Sequence, residues 1–139
     1  MQQACDNYRQ FLETLTTETL PELPKFVSAQ VHFRDPFNDV RGIDAMAEIF
    51  RHMFEAVSPV KFTVYHAQAT GNNALMSWSF EGRLFGKPWV FDGTSVVTFG
   101  DDDLVAAHID HWDAARHFYE RLPLIGWLLA WLRRRLATQ

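Results

Sequence analysis

The spacing of apolar residues changes along the chain, from a helical period before residue 60 to a strand-like period after it. Apolar residues three and four positions apart predict a first amphipathic helix, whose inner face holds Tyr8, Phe11, Leu12 and Leu15. The same spacing predicts a longer helix from Gly42 to Ser58-Pro59. Its apolar face would consist of Ile43, Met46, Ile49, Phe50, Met53, Phe54 and Val57.

Two shorter elements are predicted between these helices. Pro21 and Pro24 can occupy the first turn of a short helix, where a missing amide donor costs little. The segment from Val31 to Asp35 reads as a strand that ends at Pro36.

The second half of the chain predicts four long strands and a helical end. The strand-like stretches 60–70, 73–84, 88–99 and 104–112 are separated by turn-forming residues, which is typical of an antiparallel meander. A helix should follow Asp113 as far as about Arg121, and Pro123 should separate it from a last segment, 124–136. Three helices followed by a curled antiparallel sheet indicate an α+β fold. The concave face of such a sheet has to be filled, by helices or by helices and a ligand.

The length of the chain predicts one main domain, and its composition predicts a cavity within that domain. A chain of 139 residues is of single-domain size and is 47% hydrophobic. It contains twelve Phe and five Trp, more ring surface than a core of this size requires, so some rings are expected to line a cavity.

The charge of the chain and its cysteine content limit the class of partner and the cellular compartment that we expect. The net charge is −4 although Arg133, Arg134 and Arg135 contribute +3, so the remainder sums to −7, which argues against a nucleic-acid partner. Cys5 is the only cysteine and excludes an intrachain disulfide. Because the N-terminal residues also lack the pattern of a secretory signal, a cytoplasmic location is expected.

Two short patches carry the candidate chemistry, Phe33-Arg34-Asp35-Pro36-Phe37 and His108-Ile109-Asp110-His111-Trp112-Asp113. Alternate strand residues share a face, so Asp35 and Asp110 would each lie among aromatic residues. If both face one hollow, one can stay protonated while the other is ionised, giving an acid and a base. His108 would orient Asp110, whereas His111 should lie on the opposite face.

Structural roles for the same residues remain open. Asp35 can instead cap the turn at Pro36, and Asp110 can pair with Arg34 or Arg116. The aromatic residues on the middle strands can fill the core or line a ligand cavity. The residues concerned are Trp78, Phe80, Trp89 and Phe91, with Ser95 as a polar group on the same face.

The order of elements, with Asp35-Pro36 before a Gly-led helix and 109–113 on the last strand, resembles the nuclear transport factor 2-like superfamily. Within it, residues 5–122 look most similar to the SnoaL-like branch, which includes ketosteroid isomerase, limonene epoxide hydrolase and polyketide cyclases. The resemblance implies a cone-shaped fold over residues 1–122, with a helical extension at 123–139. It implies catalysis by Asp110, Asp35 and His108 without a cofactor. The isomerase's two oxyanion-hole donors would fall on Phe11 and near Ser95, which makes steroid isomerisation by that mechanism doubtful.

The expected ligand is therefore a hydrophobic, cyclic small molecule. The predicted contacts are Trp78, Phe80, Trp89, Phe91, Ser95, Trp112, Phe11 and Tyr8. No metal site is expected, because no group of His and carboxylate residues has the close helical spacing of a strong metal-binding motif. A non-catalytic binding or dimerisation module of the same fold is the alternative.

The last predictions concern assembly. The segment 124–132 carries Trp127 and Trp131 and is followed by three arginines. We expect it to pack on its own domain or on a partner subunit rather than on a membrane, because its polar residues cluster at one end. A homodimer is the expected assembly.

Overall fold

The computed structural model describes residues 1–138. The first helical elements occur in the predicted order. The helix α1 spans Gln2–Glu13 and buries Cys5, Tyr8, Phe11 and Leu12. A 3₁₀ helix at Leu20–Lys25 follows and accommodates both prolines. The helix α2 spans Ile43–Ala56 and begins after Gly42, whose φ of 97° favours glycine.

Six strands form one curled sheet. They are β1 (Val27–Arg34), β2 (Asp39–Arg41), β3 (Lys61–Thr70), β4 (Asn73–Leu84), β5 (Lys87–Phe99) and β6 (Val105–His111). Their order in the sheet is β2-β1-β6-β5-β4-β3, and β3 to β6 form the predicted antiparallel meander. The α+β fold class is thereby confirmed.

Two features of the sheet do not follow from the hydrophobic pattern. The strand β2 has only three residues, too few to show a period, and pairs with β1. The strands β1 and β6 pair in parallel, with Phe33 opposite His108 and Arg34 opposite Ile109. This pairing sets the two candidate patches side by side.

The concave face of the sheet is covered by the first two helices. Helix α1 packs against β3, and α2 packs against β1. The buried residues on this face include Phe33, Met76 and Val97. Their alternate neighbours along the strands point outward, where Tyr65, Leu75 and Val90 are exposed.

The C-terminal part is more broken than expected. Instead of one helix to Arg121, α3 spans Ala114–His117 and a 3₁₀ turn spans Tyr119–Arg121, because Phe118 leaves helical geometry with a φ of −128°. The helix α4 spans Gly126–Leu136 and packs on that turn. Arg133 donates to both carboxylate oxygens of Glu120, at 2.6 and 3.0 Å.

One side of α4 faces away from the domain. Trp127, Leu128, Trp131 and Leu132 are all exposed there, so packing on the domain uses only the opposite side of the helix. Within residues 1–138, no helix is long and apolar enough to span a membrane.

A glycine on β5 makes room for a ring of the cavity wall. Gly93 pairs with Trp78 of β4, and the indole lies so close to the Gly93 Cα that a Cβ there would overlap three of its ring atoms. The indole is 4% exposed and packed against Phe62 and Phe91, so it has little freedom to move.

We therefore expect Gly93→Ala to lower the free energy of unfolding by about 1–3 kcal/mol, the usual cost of overpacking. The matched control is Thr94→Ala at the exposed neighbouring position, which should change stability by less than about 0.5 kcal/mol. Urea denaturation monitored by tryptophan fluorescence measures both. Equal stability of the two variants would contradict this account of the Trp78 packing.

Candidate functional site

The concave face holds an apolar cavity of about 330 Å³. This volume suits a small organic molecule, since ligand pockets start at about 300 Å³. Its wall combines aromatic residues of the sheet with aliphatic and aromatic residues of α2. The main apolar side chains are Phe33, Phe37, Ile49, Phe50, Met53, Phe54, Phe62, Trp78, Phe80, Trp89, Phe91, Trp112 and Phe118.

The polar groups of the wall fall into two sets. Asp35, Asn38, His108 and Asp110 belong to the strand ends where β1 and β6 pair. Glu13 of α1 and His52 of α2 also line the cavity but are exposed, so they mark its opening to solvent. The cavity thus has a polar inner patch within an otherwise apolar wall.

Asp110 is held through one of its two oxygens. Ser95 Oγ donates to Asp110 Oδ1 at 2.5 Å, and His108 Nε2 lies 2.7 Å from the same oxygen. Ser95 itself accepts a hydrogen bond from the Trp78 indole at 2.8 Å. Among residues 1–138, no hydrogen-bond partner engages Oδ2, and the Asp110 side chain keeps 18% of its surface exposed. One oxygen of Asp110 is therefore anchored and the other is available to a ligand.

His108 connects Asp110 to the helix α1. Its side chain is 4% exposed, and its Nδ1 lies 2.8 Å from the hydroxyl of Tyr8. Burial, with the charge of Asp110 as a smaller cause, raises the pKa of Tyr8 well above the ordinary 10.0. Tyr8 is therefore a neutral phenol that fixes the orientation of the imidazole ring.

Asp35 both caps a turn and faces the cavity. Its Oδ1 accepts hydrogen bonds from the backbone amides of Phe37 and Asn38, at 2.8 and 2.7 Å, and the Asn38 side chain reaches both of its oxygens. These contacts lower its pKa, but burial outweighs them, and Asp110 adds a small repulsion, so the pKa of Asp35 is raised above 3.8. The capping role and the cavity role are thus compatible.

The structure brings together most of the residues singled out from the sequence. Asp35, His108 and Asp110 line the same cavity, and so do Trp78, Phe80, Trp89, Phe91 and Trp112. Asp110 is bound by Ser95 and His108, and no arginine among residues 1–138 forms an ion pair with it.

Three of the predicted ligand contacts lie behind the wall. Phe11 stacks on Phe26 with ring centroids 4.4 Å apart, while Tyr8 and Ser95 are 1% exposed and contact His108 and Asp110. These three side chains do not line the cavity in the ligand-free structure, whereas Leu12 of α1 and Leu15, two residues beyond its end, do.

Several residues that line the cavity are not among the site residues predicted from the sequence. Asn38 is three positions after Asp35, and Asp-Pro-x-Asn is a typical pattern of an Asx turn, so this residue carried a usable signal. Phe37 and Phe118 meet with centroids 4.9 Å apart beside the cavity, although they are 81 positions apart in sequence. Only the folded chain reveals that contact.

Within the described residues, no three His, Cys, Asp or Glu side chains are grouped as metal ligands.

Comparison with known proteins gives the family. Residues 8–108 match the family model described as SnoaL-like domain. A comparison with curated proteins finds no match.

Solved structures share the fold at low sequence identity. An LEH-like epoxide hydrolase of M. tuberculosis is 19% identical with a TM-score of 0.70, over 98% of this chain and 95% of that one. A putative SnoaL-like polyketide cyclase of Jannaschia sp. CCS1 is 12% identical with a TM-score of 0.72, over 82% and 88% of the two chains. An NTF2-like protein of unknown function from Burkholderia pseudomallei is 14% identical with a TM-score of 0.71, over 83% and 92%.

The raised pKa of Asp35 makes stability depend on pH. The folded state binds the Asp35 proton more tightly than the unfolded state does, so this group's contribution is complete below about pH 4 and is lost as pH rises through its folded pKa. We expect the stability of Asp35→Asn relative to wild type to increase with pH over that window. Urea denaturation at several pH values measures this difference, and Asp101→Asn in an exposed turn should show none. A difference that stays constant or decreases with pH would contradict the assignment.

Proposed function

Because this chain belongs to the family of SnoaL-like domains, we propose that it binds a hydrophobic cyclic molecule in the cavity and transfers protons with Asp110 and Asp35. The observation that carries the proposal is the arrangement of Asp110, whose Oδ1 is hydrogen-bonded while its Oδ2 has no partner within residues 1–138. A base has to be held in place and yet keep one atom for the substrate.

The two carboxylates differ in a way that suits complementary roles. Asp110 Oδ1 is held by Ser95 and His108, which leaves Oδ2 available to take a proton. Burial favours the protonated form of Asp35. In an isomerisation, Asp110 Oδ2 would take a proton from one carbon while Asp35 gives a proton to the developing oxyanion. Asp35 would then take its proton back from the same oxygen, and Asp110 would return its proton to a different carbon. No cofactor enters this sequence of transfers.

The wall indicates the substrate class. The cavity is lined mainly by rings and aliphatic chains, which favour a polyketide-, terpenoid- or steroid-like skeleton with few polar groups. Isomerisation, cyclisation and hydration all need the same acid and base. The structural neighbours named as a cyclase and an epoxide hydrolase are compatible with the last two reactions.

A non-catalytic binding module is the second candidate. The resemblance to ketosteroid isomerase favours this candidate, because that enzyme's two oxyanion donors would fall on Phe11 and near Ser95. Neither Phe11 nor Ser95 lines the cavity here. Such a module would use the same apolar wall without proton transfer.

A probe that needs no knowledge of the natural substrate separates the two candidates. We expect the protein to accelerate deuterium incorporation next to the carbonyl of 2-tetralone in D₂O, as followed by ¹H NMR. Asp110→Asn should lower that rate by at least about 100-fold, since it removes the general base. The control Asp101→Asn should match wild type.

Binding is measured separately with the neutral fluorophore N-phenyl-1-naphthylamine. Asp110→Asn should retain its affinity, because the substitution leaves the apolar wall intact. Exchange no faster than in buffer, together with unchanged fluorophore binding, would contradict the catalytic proposal and favour the binding module.

A cytoplasmic location and the division into residues 1–122 and 123–139 stay predictions.

We also propose that two copies associate through the outward face of the sheet. Tyr65, Leu75 and Val90 are 59, 62 and 50% exposed on the adjacent strands β3, β4 and β5, so each of these strands presents an apolar side chain on the outward face. A two-fold contact would bury the same surface on both copies.

Sedimentation velocity at micromolar concentration should therefore show a dimer. Leu75→Glu should shift it towards monomer, because two carboxylates would be buried at the interface. Leu136→Glu on α4 is the control, since it changes an equally apolar side chain on a different surface. A monomeric wild type, or dissociation by the control alone, would contradict this interface.

A further inference from the structure

The hydrogen bonds around Asp110 form one chain of five side chains. It runs from Trp78 through Ser95 to Asp110, and from Asp110 through His108 to Tyr8, with every donor-acceptor distance between 2.5 and 2.8 Å. Only Trp78, Asp110 and His108 line the cavity, so Ser95 and Tyr8 act from behind its wall.

The direction of the first two bonds follows from the chemistry of the indole. A tryptophan N–H can only donate, so Ser95 Oγ has to accept from Trp78. The single hydroxyl hydrogen of Ser95 is then free for the other partner, and it is directed at Asp110 Oδ1. Oδ1 is consequently an acceptor.

For an ionised Asp110 and a neutral His108, side-chain chemistry also sets the direction of the other two bonds. If His108 Nε2 carried no hydrogen, its lone pair would face the lone pairs of an ionised Asp110 at 2.7 Å, which is repulsive. A neutral His108 must therefore carry its hydrogen on Nε2 and leave Nδ1 bare. The hydroxyl of Tyr8, which stays protonated, then donates to Nδ1.

We propose that Tyr8 and Ser95 are positioning residues: together they fix His108 as the Nε2–H tautomer and make Asp110 Oδ1 a double acceptor, leaving Oδ2 as the proton-exchanging atom. For these protonation states the tautomer follows from the hydrogen-bond geometry, whereas the role of Oδ2 rests on the proposed function. The other four side chains of the hydrogen-bonded chain are uncharged in this arrangement. The site therefore holds a carboxylate without a cationic partner.

The tautomer can be measured in the ligand-free protein. In ¹⁵N-labelled protein at neutral pH, two-bond ¹H–¹⁵N correlation spectra should show His108 with Nε2 protonated and Nδ1 bare, and His108→Asn identifies those signals by their loss. Tyr8→Phe removes only a hydroxyl, and it should shift the Nδ1 resonance of His108 by several ppm. Tyr65→Phe on the exposed side of β3 is the matched control and should leave it unchanged.

The Ser95 half of the chain has its own spectroscopic signal. Ser95→Ala should move the indole ¹H resonance of Trp78 upfield, because the N–H loses its acceptor. Ser77→Ala on β4 should not do so. In the tetralone assay, Tyr8→Phe and Ser95→Ala should each lower the exchange rate about 10- to 100-fold, by analogy with residues that orient metal-binding side chains through hydrogen bonds.

Two results would overturn the proposal. One is His108 as the Nδ1–H tautomer or doubly protonated at neutral pH. The other is a His108 Nδ1 resonance that does not respond to Tyr8→Phe; this isosteric variant provides the test even if Ser95→Ala fails to fold. If the tautomer is as expected but wild type does not exchange tetralone protons, the positioning of His108 stands and the proposed function fails.

Discussion

The parallel pairing of β1 with β6 is the interaction on which the site depends. It sets Phe33 opposite His108 and so brings together two patches that are some seventy residues apart in the chain. Parallel neighbours cannot be joined by a tight turn. The connection here contains α2 and the strands β3 to β5, and these elements build the rest of the cavity wall. The contact that positions the acids therefore also encloses the space in front of them.

Placing two carboxylates in an apolar cavity costs desolvation free energy. Hydrogen bonds from two different sources offset this cost. Asp35 sits on a turn that supplies two backbone N–H groups and an amide, although burial still raises its pKa. Asp110 depends on side chains from two strands and, through His108, on the first helix. Because buried polar groups need partners, the core behind the cavity is as much part of the site as its lining. The roles of Tyr8 and Ser95 illustrate this.

The elements that were predicted well are those governed by local rules. The faces of α1 and α2 follow from the helical period, and the long strands β3 to β6 follow from turn residues at their ends. The short strand β2 and the break at Phe118 do not, since three or four residues carry no measurable period. Tyr8 and Phe11 are predicted ligand contacts on the apolar face of α1, but such a face does not reveal which of its residues borders a void.

The sequence by itself determined the order of elements, the apolar faces and the presence of an acid in each of two aromatic patches. These properties depend on residues within a few positions of one another, and side-chain chemistry suffices to read them. Only the tertiary structure decided that both acids share one cavity, that Asp35 caps its turn while facing it, and that Asp110 is anchored through one oxygen. Those facts depend on atoms from β1, β5, β6 and α1, which lie within hydrogen-bonding distance only after the sheet has formed.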